Sequence, residues 1–173
     1  MTSIRIILMT ALGLCVMQSA FGAEVRELSD AELKMKERVT ALSQGEGDMT
    51  RFRIELFYGD MVRSVSAQII HGAVLSQTYD RPGGPSKTDK RDVTDDEIRG
   101  LLKELVAKQY WIFQGTKFVP DAEALIFRLR DKDLPPVDYR CDAEEIGKSP
   151  EREAIRTLFV TFLSGAPPPA PQP

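Results

Sequence analysis

The sequence predicts an α+β fold in which an antiparallel sheet of about five strands carries helices on one face. Five stretches alternate apolar and polar residues with the period of two that half-buried strands show. Three other stretches carry apolar residues at the i, i+3, i+4 spacing of an amphipathic helix. The order is helix, three strands, helix, two strands, helix. Strands grouped in runs in this way favour antiparallel pairing.

The most strongly marked element is the helix that begins after Thr94. Thr94 and Glu97 have the spacing of a capping box, and Val93 and Ile98 have that of a hydrophobic staple. The apolar stripe that follows consists of Ile98, Leu101, Leu102 and Leu105. These signals predict a surface helix packed on the sheet. Gly100 falls on the outward face without a packing reason, so that face is a candidate for function.

The alternating stretches locate the strands. A tight turn at Gly72 predicts that the second and third strands form part of a meander. Pro135 and Pro136 cannot donate ladder hydrogen bonds, which suits an edge or a connection before the last strand. The predicted strands cover residues 51–58, 64–69, 73–79, 125–130 and 137–142.

The N-terminus has the features of a secretory signal. Arg5 precedes an apolar run from Ile6 to Met17, and small residues near Gly22 and Ala23 offer a cleavage site. We therefore expect a periplasmic or secreted protein. The predicted organisation is a signal peptide at 1–23, a helix and linker at 24–47, one α+β domain at 48–165 and a disordered Pro-rich tail at 166–173.

The helix near the mature N-terminus carries its own start signals. Ser29 and Glu32 form a second capping box, and Met35, Val39 and Leu42 give a narrow apolar stripe. Such a helix packs at the edge of the domain, acts as a spacer or docks a partner. The last helix has Ser149 as N-cap, Pro150 at its first position and Gly165 at its end.

Charge and length exclude several classes of protein. One of the 23 cations lies in the signal, which leaves 22 cations against 26 carboxylates and a net charge of −4. This balance argues against nucleic-acid binding, which needs a basic face. No segment after the signal has the length of a membrane span. Cys141 is the single mature cysteine, so no intramolecular disulfide is expected.

The sequence marks no catalytic residue, cofactor site or metal site. His71 and Cys141 would be the pair for nucleophilic catalysis, but Cys141 alternates with core residues and His71 precedes a turn. Two such residues cannot form a zinc site, and Ca²⁺-loop and phosphate-loop spacings are absent. A site assembled only in space stays open as an alternative.

Two other segments are candidates for binding. The stretch from Asp80 to Asp92 is polar, contains two prolines and two glycines, and predicts a long exposed loop of the kind that often binds partners. Tyr110, Trp111 and Phe113 form an aromatic cluster that could be an interface patch. Because the cluster directly ends an amphipathic helix, we favour a place in the core.

The layout of residues 51–163 resembles a group of small bacterial domains and is similar in plan to the emfourin-type inhibitors of thermolysin-like metalloproteases. The resemblance rests on the opening strand RFRIELFYGD, the capped helix VTDDEIRGLLKELV, the segment QYWIF, Asp121 before the next strand, and the final helix IRTLFVTFL. It implies the fold and, as one function, protease inhibition. Emfourin-like sequences carry a G-G-F type turn where this chain has Tyr58-Gly59-Asp60-Met61, so no inhibitory residue is transferred.

These observations lead to an expectation about function. We expect an exported, non-enzymatic binding domain that acts on a protein or a component of the cell envelope, with no cofactor. The alternatives are an emfourin-like protease inhibitor, a small exported enzyme whose site is assembled only in three dimensions, and an accessory subunit docked through the N-terminal helix. The sequence does not indicate an oligomeric state.

Overall fold

The computed structural model describes residues 27–59, 63–80, 86–113 and 124–165. The expected signal peptide and Pro-rich tail lie outside these residues. The helices are α1 (Asp30–Ser43), α2 (Asp95–Ala107), α3 (Ala143–Gly147) and α4 (Pro150–Ser164), with 3₁₀ turns at Met49–Arg51 and Tyr110–Phe113. The strands are β1 (Phe52–Gly59), β2 (Arg63–Ile70), β3 (Ala73–Asp80), β4 (Ser86–Asp92), β5 (Ala124–Asp131) and β6 (Leu134–Asp142).

The six strands form one antiparallel sheet in the order β4-β3-β2-β1-β5-β6. The predicted α+β class is therefore confirmed, with six strands in place of about five. The two prolines near the start of β6 lie on an edge strand, beside an irregularity of register between Leu129 and Asp131, and neither has a partner in the β5–β6 ladder. No helix in the described residues is long and apolar enough to cross a membrane.

The prediction of an exposed loop from Asp80 to Asp92 is wrong for most of that segment. Residues Ser86–Asp92 form β4, which pairs with β3 from Ala73↔Asp92 to Tyr79↔Ser86. Every side chain of this strand except Arg91 is exposed. An edge strand held by backbone hydrogen bonds needs no apolar alternation, and its lysines and aspartates are typical of edges protected against aggregation. Hydrophobic periodicity therefore gave no sign of it.

Side-chain alternation separates two faces of the sheet. One face is covered by the helices and contributes the core side chains of the central strands, for example Leu56, Ala67 and Phe127, which lie in one cross-strand row. We call this the inner face. Arg53, Glu55 and Phe57 alternate with the core residues of β1 and lie on the opposite face, which we call the open face.

Phe127 lies at the centre of the core. Its ring stacks on Tyr139 with centroids 4.9 Å apart, and it contacts Phe159 at 5.1 Å and Phe113 at 5.5 Å. Tyr110 packs edge-on against Tyr139 at 5.2 Å. All five rings are fully buried, so Tyr110 and Phe113 of the aromatic cluster belong to the core. Trp111, also of that cluster, is partly exposed and lies under the ammonium group of Lys36, which is 3.9 Å from the ring.

The predicted helix starts are all present. Thr94 with Glu97 and Ser29 with Glu32 make reciprocal capping boxes, and Ser149 caps α4. Gly165 ends α4 in the left-handed conformation at φ +71°. α1 packs on α2 and β6, and its apolar stripe is buried in the same core as theirs. The short helix α3 has no counterpart in the sequence prediction.

Gly100 is expected to be a site of easy stabilisation. It is exposed on α2, and a Cβ built there meets nothing within 4 Å. Because glycine loses more backbone freedom in a helix than alanine does, Gly100→Ala should raise the free energy of unfolding by about 0.5–1 kcal/mol. Urea denaturation of the two proteins measures this difference. A lower stability of the variant would contradict the assignment of Gly100 to an unoccupied outward face.

Candidate functional site

A cleft of about 540 Å³ opens between α4 and the inner face of the meander. Its apolar wall includes Leu56 and Val65 from the sheet and Phe159, Val160 and Leu163 from α4. Its polar residues include Ser76 and Thr78 of β3, Asp89 of β4, Arg63 of β2 and Ser164 of α4. This mixture of apolar lining with a few polar groups is typical of ligand sites.

The cleft exists because the two surfaces that face each other differ in size and polarity. Earlier in α4, Ile155 and Phe159 are buried against the core. Beyond β2, however, the inner face of the sheet continues with Ser76 and Thr78 of β3, whose side chains are short and polar. They leave the space beside Val160 unfilled, and its side chain remains 43% exposed. The apolar surface of α4 therefore extends beyond the apolar part of the sheet on which the helix packs.

The polar contacts of Arg156 link two walls of the cleft. The phenol oxygen of Tyr58 accepts a hydrogen bond of 2.9 Å from Arg156 Nη1, and Arg156 Nε donates to Glu153 at 2.7 Å. These two acceptors raise the pKa of Arg156 above its ordinary value, with the Glu153 bond as the larger cause. The wall formed by Tyr58 is thus tied to α4 by a permanently charged group.

Arg91 joins β4 to the helices α2 and α4. Its Nη2 donates to the Phe162 carbonyl oxygen at 2.7 Å, its Nη1 lies 3.1 Å from Glu97, and its guanidinium is 5.1 Å from the Phe162 ring centroid. One side chain of β4 therefore contacts both the first turn of α2 and the last turns of α4. The edge strand is fixed to the helical layer although it buries almost no apolar surface.

His71 and Cys141 are not brought together. In the sheet register Cys141 pairs with Leu125, Leu125 with Tyr58, and Tyr58 with Val65, while His71 follows Val65 by six residues. Three strand spacings and six residues along a strand separate them by roughly 20 Å or more. His71 Nδ1 instead lies 2.7 Å from Asp95 Oδ1. The structure therefore gives no support to a Cys–His dyad.

Cys141 is expected to be unreactive in the folded protein. Its side chain is fully buried, and burial raises the pKa of the thiol from 9.0 to about 11. Alkylating agents attack the thiolate, so iodoacetamide at pH 8 should label Cys141 only as fast as the protein unfolds. The raised pKa gives a stabilising contribution that is present below pH 9 and is lost as the pH rises through about 11. Rapid labelling in native conditions, measured by mass spectrometry, would show that the thiol is accessible.

Three aspartates at the start of α2 and at the end of β5 have structural roles. Asp95 and Asp96 lie in the first turn of α2, where they complement the helix dipole. Asp131 is buried and forms a 2.7 Å ion pair with Arg38 of α1. Among the residues that the structure describes, no group of three or more His, Cys, Asp or Glu side chains is placed to hold a metal ion.

Sequence reasoning missed the cleft altogether. Its apolar residues look like ordinary core residues in the helical and strand patterns, and Ser76 and Thr78 look like the polar half of a strand. The cleft could be recognised only by comparing β3 with α4. Small polar residues occupy the inner-face positions of β3, whereas apolar residues would be needed there to cover Val160 and Leu163. That comparison requires the strand register and the position of α4.

The chain is therefore an α+β domain. It has helices on one face of a six-stranded antiparallel sheet and a cleft beside its last helix. Comparison with protein-family models found no match, and comparison with curated proteins found no match either.

Proposed function

We propose that this protein is an exported, non-enzymatic binding domain that acts on a protein or a component of the cell envelope. Its cleft accepts an apolar side chain of the partner, and the polar rim bonds the neighbouring main chain. The observation that carries this proposal is the 540 Å³ cleft with Val160 exposed in its wall. Interface energy is concentrated where an aromatic or aliphatic anchor enters such a pocket.

The chemistry of the cleft supports binding more than catalysis. The pair that could have formed a nucleophilic site, His71 and Cys141, lies apart. The charged residues that line the cleft are Arg63 and Asp89, and each has a neighbouring ion-pair partner: Arg63 with Asp80 at 3.4 Å, and Asp89 with Lys87 at 2.9 Å. Paired surface charges of this kind orient a ligand at the rim.

The export signal and the resemblance to emfourin-type inhibitors suggest where to look for the partner. An extracytoplasmic protein is expected, and a thermolysin-like metalloprotease is a specific partner to test. Inhibition of such a protease would be one form of the proposed binding function.

The test is a capture experiment with two matched variants. Val160→Glu places a charge in the cleft wall, whereas Leu33→Glu makes the same change on α1, where Leu33 is 44% exposed. Immobilised wild-type protein and Leu33→Glu should retain the same envelope protein, and Val160→Glu should lose it. Equal retention by all three proteins would reject the cleft as the binding site.

Deleting the segment from Asp80 to Asp92 is not a suitable test. The deletion would remove β4 and, with it, the contacts that Arg91 makes to α2 and α4. A loss of binding would then report damage to the fold. A single substitution of Val160 in the cleft wall avoids this difficulty, because its side chain is 43% exposed and no strand is removed.

A further inference from the structure

The sheet ends in two edge strands, β4 and β6, that differ in how well they can pair with a further strand. β6 carries Pro135 and Pro136. Its pairing with β5 has an irregular register, and both α1 and α3 pack against it. β4 contains no proline, and all seven of its residues pair with β3 without a shift of register. Such a regular edge presents backbone N–H and C=O groups that the other strands of the described sheet do not pair.

β4 is also fixed in position before any second strand arrives. Arg91 donates a 2.7 Å hydrogen bond to the carbonyl oxygen of Phe162 in α4 and lies 3.1 Å from Glu97 in α2. These contacts hold the edge strand to the helical layer. Because an interface that is already ordered loses little conformational freedom on association, β4 is well prepared to pair.

The side chains of β4 restrict which strand can pair with it. Lys87 and Asp89 lie on the inner face 2.9 Å apart, and their side chains are 77% and 54% exposed. Their neighbours across β3 are the uncharged Thr78 and Ser76. Thr88, between them, points to the other face of the sheet. Like charges directly opposite each other destabilise a strand pair, so this edge favours a strand with complementary charges.

The sequence of β4 is complementary to itself in one antiparallel register. Opposite residues of paired strands point to the same face, so a two-fold axis between two copies passes at a residue position. With the axis at Thr88, Lys87 of each copy lies opposite Asp89 of the other, and Thr88 faces its own counterpart. An axis at Asp89 or Lys90 places that residue opposite a like charge. Among the positions from Lys87 to Arg91, Thr88 is the one that creates no like-charge pair.

We propose that the protein pairs with a second copy of itself through β4, with the two-fold axis at Thr88. The main chains of residues 86–90 join the two sheets into one continuous antiparallel sheet, and Lys87 and Asp89 of both copies form a cluster of four alternating charges. The axis stands perpendicular to the sheet, so both inner faces lie on the same side. Asp89 lines the cleft, and Lys87 of the second copy therefore lies beside it.

Sedimentation equilibrium of the purified protein alone tests this proposal. No other protein is present, so a failure here leaves the cleft function as it stands. The wild-type protein should show a monomer–dimer equilibrium at micromolar concentrations. Lys87→Asp places carboxylates opposite Asp89 and should raise the dissociation constant at least tenfold, and Asp89→Lys should do the same. A wild-type protein that stays monomeric throughout the micromolar range would overturn the proposal.

The matched control is Lys103→Asp. It makes the same change of charge at an exposed position on α2, away from β4, and should dimerise as the wild type does. Circular dichroism of each variant confirms its fold. A loss of dimerisation no greater in Lys87→Asp than in Lys103→Asp would mean that total charge, and not β4, controls the association, and would also overturn the proposal.

A mixture of the two β4 variants tests the register itself. The Lys87→Asp chain carries two carboxylates at these positions and the Asp89→Lys chain carries two ammonium groups, so every charge of one faces an opposite charge of the other. The mixture should form a heterodimer with about the wild-type affinity, although each variant alone dimerises poorly. The double variant Lys87→Asp with Asp89→Lys exchanges the two charges and should dimerise with itself. Failure of either recovery would contradict pairing about Thr88.

Discussion

Phe127→Ala is expected to lower the free energy of unfolding by about 3–5 kcal/mol, because it opens a cavity where four aromatic rings meet. The ring of Phe127 is fully buried and has Tyr139, Phe159 and Phe113 within 5.5 Å between centroids. The neighbouring rings come from β6, α4 and the turn after α2, so the cavity cannot be filled by moving one element. A loss of this size is a large part of the stability of a typical domain.

The matched control is Phe57→Ala, on the strand next to β5. Phe57 is 37% exposed on the open face, so truncating it should cost less than about 1 kcal/mol. Urea denaturation of the three proteins, followed by circular dichroism, gives both differences. If the two variants lost similar amounts of stability, the inner face would not be the side on which the core forms.

Gly59→Ala is expected to be the second most damaging change, with a loss of about 3 kcal/mol or more. Gly59 has φ +137°, a conformation that side chains rarely adopt. A Cβ would also lie only 2.5 Å from Ser64 Cα and collide with the Arg63 carbonyl oxygen. These atoms belong to the backbone of β2, so relief requires the two strands to separate at the end that borders the cleft.

Gly72→Ala distinguishes backbone strain from the collision. Gly72 also has a positive φ, +80°, but a Cβ there meets nothing within 4 Å. Gly72→Ala should therefore lower the free energy of unfolding by about 1 kcal/mol, which is the usual energy of the left-handed conformation for a residue with a side chain. Thermal unfolding of the two variants measures the difference. Equal losses would show that the approach of Arg63 and Ser64 to Gly59 has no energetic consequence.

Most of the fold follows from local signals in the sequence. The caps at Ser29, Thr94 and Ser149 define helix starts because their hydroxyl groups bond backbone N–H groups a few residues away. The strands next to the core are visible because burial imposes a period of two. β4 is invisible to the same reasoning, since a strand held by backbone pairing and by the polar contacts of Arg91 leaves no apolar pattern.

The candidate sites could not be predicted from the sequence either, and the reason differs from the one that applies to β4. The cleft depends on where α4 crosses the sheet relative to Ser76 and Thr78, which is a tertiary relation. The cluster of arginines around Glu55 on the open face depends on strand register, because the pairing of Arg130 with Arg53 brings both side chains to Glu55.

The central claim is that this chain is a binding domain whose cleft receives a partner's apolar side chain. Native mass spectrometry of the purified protein mixed with the captured partner tests it most directly. The prediction is a complex with wild-type protein and with Leu33→Glu, no complex with Val160→Glu, and a partner mass that is unchanged after incubation. A complex that forms equally well with Val160→Glu, or a partner whose mass is altered by the wild-type protein, would contradict the claim.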